Sequence, residues 1–360
     1  MNAQITIAVD GMGGDNGPSV IIHGLELARI RHPDVRFVVF GINAELGPLL
    51  SGYPALASVS EVLPSPDVVK MDDKPAQALR RGRKTSMWMA IDSVRNNQAD
   101  AVVSAGNTGA LMAMSWFQLR TIPGIDRPAI AAIWPTSRSE SVVLDVGANI
   151  GADEKQLVDF AIMGAEFARA VFSIPRPTVG LLNIGSEELK GNEHVKAAAK
   201  TLRDAKGLPM DFRGFVEGND IGKGTVDVVV TDGFTGNIAL KTAEGTARQI
   251  AGYLKEAFTR SLLSRIGYFF ARGAMEVFRR KVDPSRANGG VFLGLNGLVV
   301  KSHGGTDAMG FASAVDLAVD MAKANVTDSI AIDVQHVVFG EANERAGTKN
   351  PDPATEGKSN

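Results

Sequence analysis

The stretch ITIAVDGMGGDNGP, residues 5–18, decides the fold that we expect for the rest of the chain. It begins as a β-branched run typical of a buried strand. It then breaks into a loop with four glycines and two acids before Pro18 opens a helical pattern. Glycine loops let backbone N–H groups approach a ligand, and a helix N-terminus adds about half a positive charge. The stretch predicts a strand, a loop and a helix that hold an anion, with phosphate the first candidate. A tight turn with two capping acids is the alternative.

The composition is that of a globular enzyme. The chain has 360 residues, of which 44% are hydrophobic and 22% charged, and its net charge of −2 argues against a general nucleic-acid binder. It has no cysteine, which excludes disulfides, thiolate nucleophiles, cysteine-ligated zinc and iron–sulfur clusters. No secretory signal and no run of about 18 to 20 apolar residues are visible, so we expect a cytoplasmic location.

Strand and helix patterns alternate along the chain. A helix over 19–31 and a strand over 35–41 complete a βαβ unit. We predict further strands at 56–63, 100–104, 130–134, 141–146, 178–184, 226–231 and 289–300, and helices at 74–96, 110–119, 153–171, 192–203, from 238 and at 306–324. Five strands end in glycine-rich polar loops. Because ligands of open α/β sheets bind outside the carboxyl ends of the strands, we expect these loops to converge.

The segment Tyr253–Lys281 departs from this pattern, with seven Lys or Arg against two Glu among apolar and aromatic residues. One interpretation is a helical hairpin that packs on the core or on a second subunit. The other is a surface that dips into an anionic membrane with its tip, around 262–270. We therefore predict one catalytic domain over 1–340, with a hairpin at about 245–285 and a disordered polar tail over 341–360.

Two loops pair small residues with an asparagine at a helix start, Ser104–Gly109 and Asp232–Asn237. Such loops can cap a helix, or donate amide hydrogens to a phosphate or carbonyl oxygen. Lys190, in a loop with Asn183 and Asn192, and Lys241 are cations near such loops that an anion site could use. Either could equally be solvated surface.

Three further patterns have more than one interpretation. Residues 80–84 hold four cations in five positions, which indicates a solvated face or a surface for an acidic macromolecule. His303 lies in a glycine loop and is a candidate for acid/base chemistry, whereas His194 is expected to be structural. A dinucleotide fingerprint at Gly11–Gly17 is disfavoured because no acid follows the second strand, which ends in Phe40-Gly41-Ile42-Asn43.

Taken together, the loops resemble those of the phosphate acyltransferases of bacterial phospholipid synthesis. The matching stretches are Val9–Pro18, Ser104–Leu111, Asp145–Asn149, Asn183–Glu193, Glu217–Ile221, Val226–Lys241 and Lys301–Gly304. The resemblance spans residues 5 to about 340. It implies transfer of an acyl group from acyl-acyl carrier protein to inorganic phosphate. We expect no cofactor, and no spacing of residues in the sequence supports a metal site. The resemblance also implies a Rossmann-like three-layer α/β/α sandwich similar to isopropylmalate dehydrogenases and phosphotransacetylases, a homodimer, and peripheral association with the inner face of the cell membrane.

The residues suit such a reaction, because phosphate arrives ionised and a thiol leaves with little acid help. We hypothesise that Asn107, Asn237, Lys190 and the backbone of Gly13 and Gly14 hold the phosphate and the developing oxyanion, while Asp10 and Asp232 orient these donors. The full set of candidates is Lys190, Asn237 and His303 for catalysis; Asp10, Gly13, Gly14, Asn16, Asn107, Thr108, Gly109, Asn149, Asn183, Asp232 and Gly236 for phosphate or substrate; and Leu262, Leu263, Ile266, Phe269 and Phe270 for the membrane tip.

Two other functions fit the same loops. The chain could be a non-catalytic, membrane-bound regulator that binds phosphate or acyl carrier protein. It could also be a nicotinamide-dependent dehydrogenase of related fold, although the missing acid after the second strand predicts that it binds no such cofactor.

Overall fold

A computed structural model describes residues 4–282 and 289–335 of the protein. The tail predicted at 341–360 lies outside the described residues. The strands are β1 Thr6–Asp10, β2 Arg36–Gly41, β3 Ser60–Pro64, β4 Ala101–Ser104, β5 Ala129–Pro135, β6 Glu140–Leu144, β7 Thr178–Leu182, β8 Asp211–Val216, β9 Val228–Val230, β10 Gly290–Leu293 and β11 Leu298–Lys301. The helices are α1 Pro18–Arg31, α2 Asn43–Ser51, α3 Pro54–Ala57, α4 Pro75–Arg81, α5 Ser86–Arg95, α6 Thr108–Leu119, α7 Glu154–Phe172, α8 Glu193–Asp204, α9 Gly218–Lys223, α10 Gly233–Thr259, α11 Leu262–Val282 and α12 Ala308–Lys323.

One mixed sheet of eleven strands, in the order β3-β2-β1-β4-β11-β10-β5-β6-β9-β7-β8, runs through the molecule. β3, β2, β1, β4 and β11 are parallel to one another. β10 is antiparallel to β11 and to β5, and β5 is antiparallel to β6. β6, β9, β7 and β8 are again parallel. The two parallel halves of the sheet therefore point in opposite directions.

Helices cover both faces of this sheet, because side chains on a strand alternate between its two sides. Ile7 and Val9 of β1 join one apolar core, which includes buried residues of α1, α7, α8 and α12. Ala8, between them, joins a second core with buried residues of α5 and α6. The predicted three-layer α/β/α architecture is confirmed, and so is the βαβ unit at its start, where β1 pairs in parallel with β2.

The helix predicted over 74–96 is in fact broken. α4 ends at Arg81, a 3-10 turn covers Gly82–Lys84, and α5 begins at Ser86 behind the capping side chain of Thr85. The break brings Gly82 so close to α6 that a β-carbon on it would lie 2.2 Å from Cε of Met114. The apolar stretch 289–300 likewise forms two strands, with Gly294 at φ 87° in the turn between them.

α10 and α11 form the hairpin expected at 245–285. α10 begins at Gly233 and is 27 residues long, yet among its residues only Gly233 and Gly236 are buried. At the turn, Leu262, Leu263 and Phe270 expose 77%, 82% and 82% of their surface. Within the described residues, no helix combines the length and the apolar character that crossing a membrane would require.

Gly164 shows how closely α7 packs on the sheet, since a β-carbon there would lie 2.5 Å from Val228 Cγ1 and 2.7 Å from Leu144 Cδ2. We expect Gly164→Ala to lower the free energy of unfolding by about 1–3 kcal/mol because of this overpacking. The control is Gly245→Ala in α10, where nothing lies within 4 Å of the new methyl. It should leave stability unchanged or raise it by up to about 1 kcal/mol. Chemical denaturation of both variants measures the difference, and equal effects would contradict the packing argument.

Candidate active site

The glycine-rich loops lie at two opposite ends of the sheet. The loops after β1, β4 and β11 share one end, because these strands are parallel neighbours. The loops after β6, β9 and β7 leave from the other end, because this half of the sheet is reversed. The five predicted loops therefore do not share one end of the sheet, yet residues of four of them line one cavity, and only the loop after β7 stays outside its lining. We call the two groups the first and second loop clusters.

Asp10 is a buried carboxylate that holds the loops of the first cluster together through hydrogen bonds. Its carboxylate is 2% exposed and accepts hydrogen bonds from the hydroxyls of Ser86 at 2.6 Å and Ser104 at 2.7 Å. Burial raises the pKa of Asp10, and the bonds from the two serines act against that rise. Ser104 also accepts a bond from Gly106 N at 3.0 Å, so Asp10 ties the end of β1 to the loop after β4. This geometry suits the predicted role of Asp10 as a support for other groups.

The glycines of the first loop allow the backbones of this cluster to touch. A β-carbon on Gly13 would lie 2.6 Å from Gly106 N, and Gly14, at φ 94°, packs against Ala105 and Gly304. Asp15 N donates to Gly304 O at 2.8 Å, and the Asn16 amide donates to Thr306 O at 2.7 Å. The loops after β1, β4 and β11 thus form a single backbone-lined surface.

Lys301, at the end of β11, is a cation of this cluster that the sequence did not single out. It is 8% exposed, and its ammonium group donates to the carbonyls of Ala105, at 3.3 Å, and Ser302. Burial lowers its pKa to about 8, although the charges of Asp10 and Asp15 oppose this and that of Lys241 adds to it. A buried lysine that is still mostly protonated at neutral pH is well suited to hold an anion.

His303, predicted for acid/base chemistry, stands in the loop after β11. Its Nδ1 lies 3.3 Å from Gly305 N, which donates to it. Desolvation and the positive charges of Lys241 and Lys301 lower the pKa of His303. A neutral imidazole beside two lysines can accept a proton or a hydrogen bond from a ligand, but it adds no fixed positive charge.

Asn107 is placed differently from the hypothesis. Its side-chain oxygen caps α6 by accepting from Ala110 N at 3.0 Å. Its amide nitrogen donates to the carbonyls of Met71 and Asp73, both at 2.9 Å. The capping interpretation therefore describes Asn107 better than that of a phosphate donor. It fixes the loop before α4, while Thr108 beside it is exposed and Gly109 packs against Pro75.

Asp145 is the buried carboxylate that holds the second loop cluster together, as Asp10 does in the first. It is fully buried and accepts bonds from the backbone N–H groups of Ile130 and Gly147 at 3.0 Å, Ala148 at 2.9 Å and Asn149 at 2.8 Å. The Asn149 amide donates to Pro128 O and to Asp145, both at 2.9 Å. Asn149 was predicted to bind substrate, but both of its amide hydrogens are used inside the protein.

The start of α10 rests on this cluster. Asp232 caps the helix by accepting from Thr235 N at 2.9 Å and from the Thr235 hydroxyl at 2.7 Å. A β-carbon on Gly236 would lie 2.0 Å from Asp145 O, so only glycine allows this contact. Asn237 follows on the exposed side, next to Gly147, where its amide faces a cavity.

Lys190 lies in the loop after β7, also in the second cluster. Asn183 braces this loop by donating to Lys190 O at 3.0 Å and accepting from Ile184 N at 2.9 Å. The ammonium group of Lys190 is about half exposed, and the nearest carboxylate is that of Glu187 at 4.0 Å. Lys190 does not belong to the lining of the cavity that Asn237 and His303 share.

This cavity, of about 550 Å³, is a groove beneath α10 that joins the two clusters. The first cluster contributes Asp15, Thr108, Lys301 and His303, and the second contributes Val146 and Asn237. Between them the walls are largely apolar, with Ile130, Ala132 and Trp134 of β5 facing Leu240, Ala243 and Ala247 of α10. Lys241 and Glu244 of α10, an ion pair at 3.0 Å, also line this part of the groove. The groove thus combines largely apolar walls with polar and charged side chains, at a volume typical of sites for small molecules, about 300–1,000 Å³.

Within residues 4–282 and 289–335, no group of three or more His, Asp or Glu side chains is placed to hold a metal ion. The sequence missed Ser86 and Ser104, which hold Asp10, and the burial of Lys301. Ser86 is 76 positions from Asp10 and Ser104 is 94, so no local spacing could have revealed the contact. The strand-end position of Ser104 and Lys301 was the available signal.

Known proteins resemble this chain over most of its length. A family described as "Fatty acid synthesis protein" matches residues 5–329. A phosphate acyltransferase of Azorhizobium caulinodans is 61% identical over 331 residues, which cover 92% of this chain and 93% of that protein. One from Parvibaculum lavamentivorans is 59% identical over 350 residues, 97% of this chain and 96% of the other.

Solved structures with the same fold are more distant in sequence. A phosphotransacetylase from Streptococcus pyogenes has a TM-score of 0.60 at 16% identity, covering 90% of this chain and 95% of that one. A phosphotransacetylase from Staphylococcus aureus has a TM-score of 0.59 at 16% identity, covering 89% and 94%. At this identity the likeness concerns the fold alone.

Proposed function

The chain belongs to the phosphate acyltransferases, and on that basis we propose that it moves an acyl group from the thioester of acyl carrier protein to inorganic phosphate. The enzyme is an acyltransferase of phospholipid synthesis whose acceptor is phosphate. The product is an acyl phosphate, and the other product is the free thiol of the carrier.

The groove beneath α10 is the observation that carries this proposal. An acyl thioester has a long apolar chain joined to one polar, reactive carbonyl, and the groove has largely apolar walls that also carry polar and charged side chains. The apolar chain gains about 25 cal/mol for each Å² that it removes from water. Lys301 offers a buried positive charge to phosphate, and the loops around it reach the groove at Asp15, Thr108 and Gly304.

The reaction needs only positioning and charge stabilisation. A phosphate oxygen attacks the thioester carbonyl, and the carbonyl oxygen becomes a tetrahedral oxyanion. When the C–S bond breaks, the sulfur leaves as a thiolate and takes up a proton from water or a nearby acid. Phosphate is already ionised at neutral pH, so no protein group has to generate the nucleophile. Fixed hydrogen-bond donors and cations supply the rate enhancement.

We assign the parts as follows. Lys301 and the backbone of Gly13 and Gly14 hold the phosphate, supported by Asp10. Asn237 and Lys190 approach from the second cluster and stabilise the oxyanion. Lys190 is outside the groove lining in this structure, so its role requires its loop to close over the bound substrate. His303 lines the groove beside Lys301 and accepts a hydrogen bond or proton from a substrate group.

Removing the proposed oxyanion donors tests this assignment. We expect Asn237→Ala and Lys190→Ala each to reduce kcat/KM for acyl phosphate formation by about 100- to 1,000-fold, the usual cost of losing one such donor. The assay uses purified protein, acyl-acyl carrier protein and phosphate. Lys206→Ala, on the exposed turn before β8, is the control and should retain full activity. Near wild-type rates in both test variants would reject the assignment. No product from the wild type would favour the regulator.

The pKa of Lys301 predicts a pH dependence. Because burial lowers this pKa to about 8, the residue should lose its charge as the pH rises through that value. We expect kcat/KM for phosphate to fall above pH 8, by about tenfold per unit at the steepest. Lys301→Arg keeps its charge throughout and should lose this fall, whereas Lys301→Met should be slow at every pH. Thermal melts establish that both variants fold. An unchanged alkaline limb in Lys301→Arg would assign the titration to another group.

We further propose that the hairpin makes the protein a peripheral protein of the inner face of the cell membrane and a homodimer. The tip residues Leu262, Leu263, Ile266, Phe269 and Phe270 expose between 57% and 82% of their surface. Arg260, Arg265 and Arg272 lie among them and suit anionic headgroups. Ile250, Tyr253 and Val277, on the stem, are also exposed and suit a second copy of the chain.

Liposome flotation tests the membrane proposal. Leu263→Glu/Phe269→Glu should release the protein from anionic liposomes, because two charges on the tip oppose insertion into the interface. Ile30→Glu/Ile332→Glu is the matched control, since both residues are exposed apolar side chains outside the hairpin, at 61% and 55%. It should float like the wild type. If the tip variant floats as well, the hairpin serves only in packing.

A further inference from the structure

One surface of the molecule is strongly basic and is used by nothing described so far. We call it the basic patch, and it consists of Lys70, Lys74, Arg80, Arg81, Arg83 and Lys84. All six side chains are exposed. Residues 67–84 contain only three acids, at positions 67, 72 and 73, so the segment carries a net charge of +3 in a chain whose total is −2. The patch is therefore a local excess of positive charge.

We propose that the basic patch is the docking surface for the acidic carrier protein that delivers the acyl thioester. The inference rests on the proposed function, in which the acyl group arrives on such a carrier. Acyl carrier proteins are small and acidic, so their surface is complementary to the patch. Complementary charge accelerates association and fixes the orientation of the partner.

The charges of the patch are not used inside the described part of the protein. None of its six cations lies in an ion pair within that part, whereas Arg29, Arg169 and Arg248 each have a carboxylate within 2.9 Å. Like charges at this density repel each other. An anionic partner relieves this repulsion, so its binding to the patch is favourable.

The basic patch lies at the rim of the groove. The Asn107 amide donates to the carbonyls of Met71 and Asp73, and Met71 itself lines the groove. Pro75 opens α4 in contact with Gly109, next to the groove residue Thr108. α4 has seven residues and is thus about 10 Å long. A carrier on the patch would hold its thioester arm beside the groove.

The backbone that carries the basic patch is fixed by the rest of the protein. The 3-10 turn that carries Arg83 packs at Gly82 against Met114, and Thr85 caps the next helix. Ser86, directly after the patch, donates to Asp10 beneath the phosphate loop. A rigid surface loses little entropy when it binds.

A membrane surface is the other anionic partner that a basic patch could meet. Among the large hydrophobic residues of 67–84, Met71 is the exposed one, at 42%, and it belongs to the groove. Membrane-bound surfaces insert apolar side chains between lipids, and these are concentrated at the hairpin tip. The patch therefore fits a soluble acidic protein better.

Charge reversal separates docking from chemistry. We expect Arg80→Glu/Arg81→Glu/Arg83→Glu to raise KM for palmitoyl-acyl carrier protein by about tenfold or more with little change in kcat. With palmitoyl-pantetheine, an uncharged donor, both constants should equal those of the wild type. The defect should shrink between about 0.05 M and 0.5 M salt, because salt screens exposed charges. Lys200→Glu/Lys206→Glu, two exposed cations elsewhere, should behave like the wild type with both donors.

The other outcomes reject the proposal. An unchanged KM for the carrier substrate shows that the patch does not dock it. An equal loss with both donors shows a structural effect, and Lys70→Glu/Lys74→Glu then repeats the comparison. Loss of flotation on anionic liposomes with normal kinetics assigns the patch to the membrane. If the wild type transfers no acyl group from either donor, the proposed function fails. Fluorescence anisotropy of labelled carrier protein then tests the patch directly.

Discussion

The three successive antiparallel pairings in the middle of the sheet, β11 with β10, β10 with β5 and β5 with β6, are the constraint on which the rest of this structure depends. Together they reverse one half of the sheet against the other, so the glycine-rich loops leave from opposite ends. Neither loop cluster alone combines an anion site with an apolar slot. α10, which starts on the second cluster and passes over β5 toward Lys301 and His303, encloses a space that both clusters reach. The candidate active site is therefore a product of sheet topology.

Each loop cluster is built around one buried carboxylate. Asp10 receives two serine hydroxyls, and Asp145 receives four backbone N–H groups and an amide. Both acids lie beneath the loops and hold the groups that can face a ligand. Because the carboxylates do not face the ligand themselves, they do not repel phosphate as an adjacent carboxylate would. The asparagines near these loops have two different roles. Asn107 and Asn149 hydrogen-bond within the protein, whereas Asn237 lines the groove.

The sequence predicted the layers of the fold and most strands, because apolar periodicity and glycine loops are local signals. It could not predict the reversal of the sheet, since the direction of β10 and β5 depends on pairing between distant strands. It joined α4 and α5 into one helix because the contact of Gly82 with Met114 is also tertiary. It identified the strand-end loops of the site, yet it overlooked Lys301, whose importance comes from burial, and it gave Asn107 the role of a ligand where the structure shows a cap.

The long helix above the groove is fixed to the body mainly through its first turn, where Gly233 and Gly236 are buried. Mechanically it is a lever with its pivot at those glycines. Thr259, at the far end, is about 35 Å from Gly236, and Leu240, in the groove wall, is about 6 Å away. A rotation about the pivot that displaces the hairpin tip by 6 Å therefore displaces Leu240 by about 1 Å. A displacement of the tip therefore changes the width of the slot in that proportion, and a change in the slot corresponds to a larger displacement at the tip.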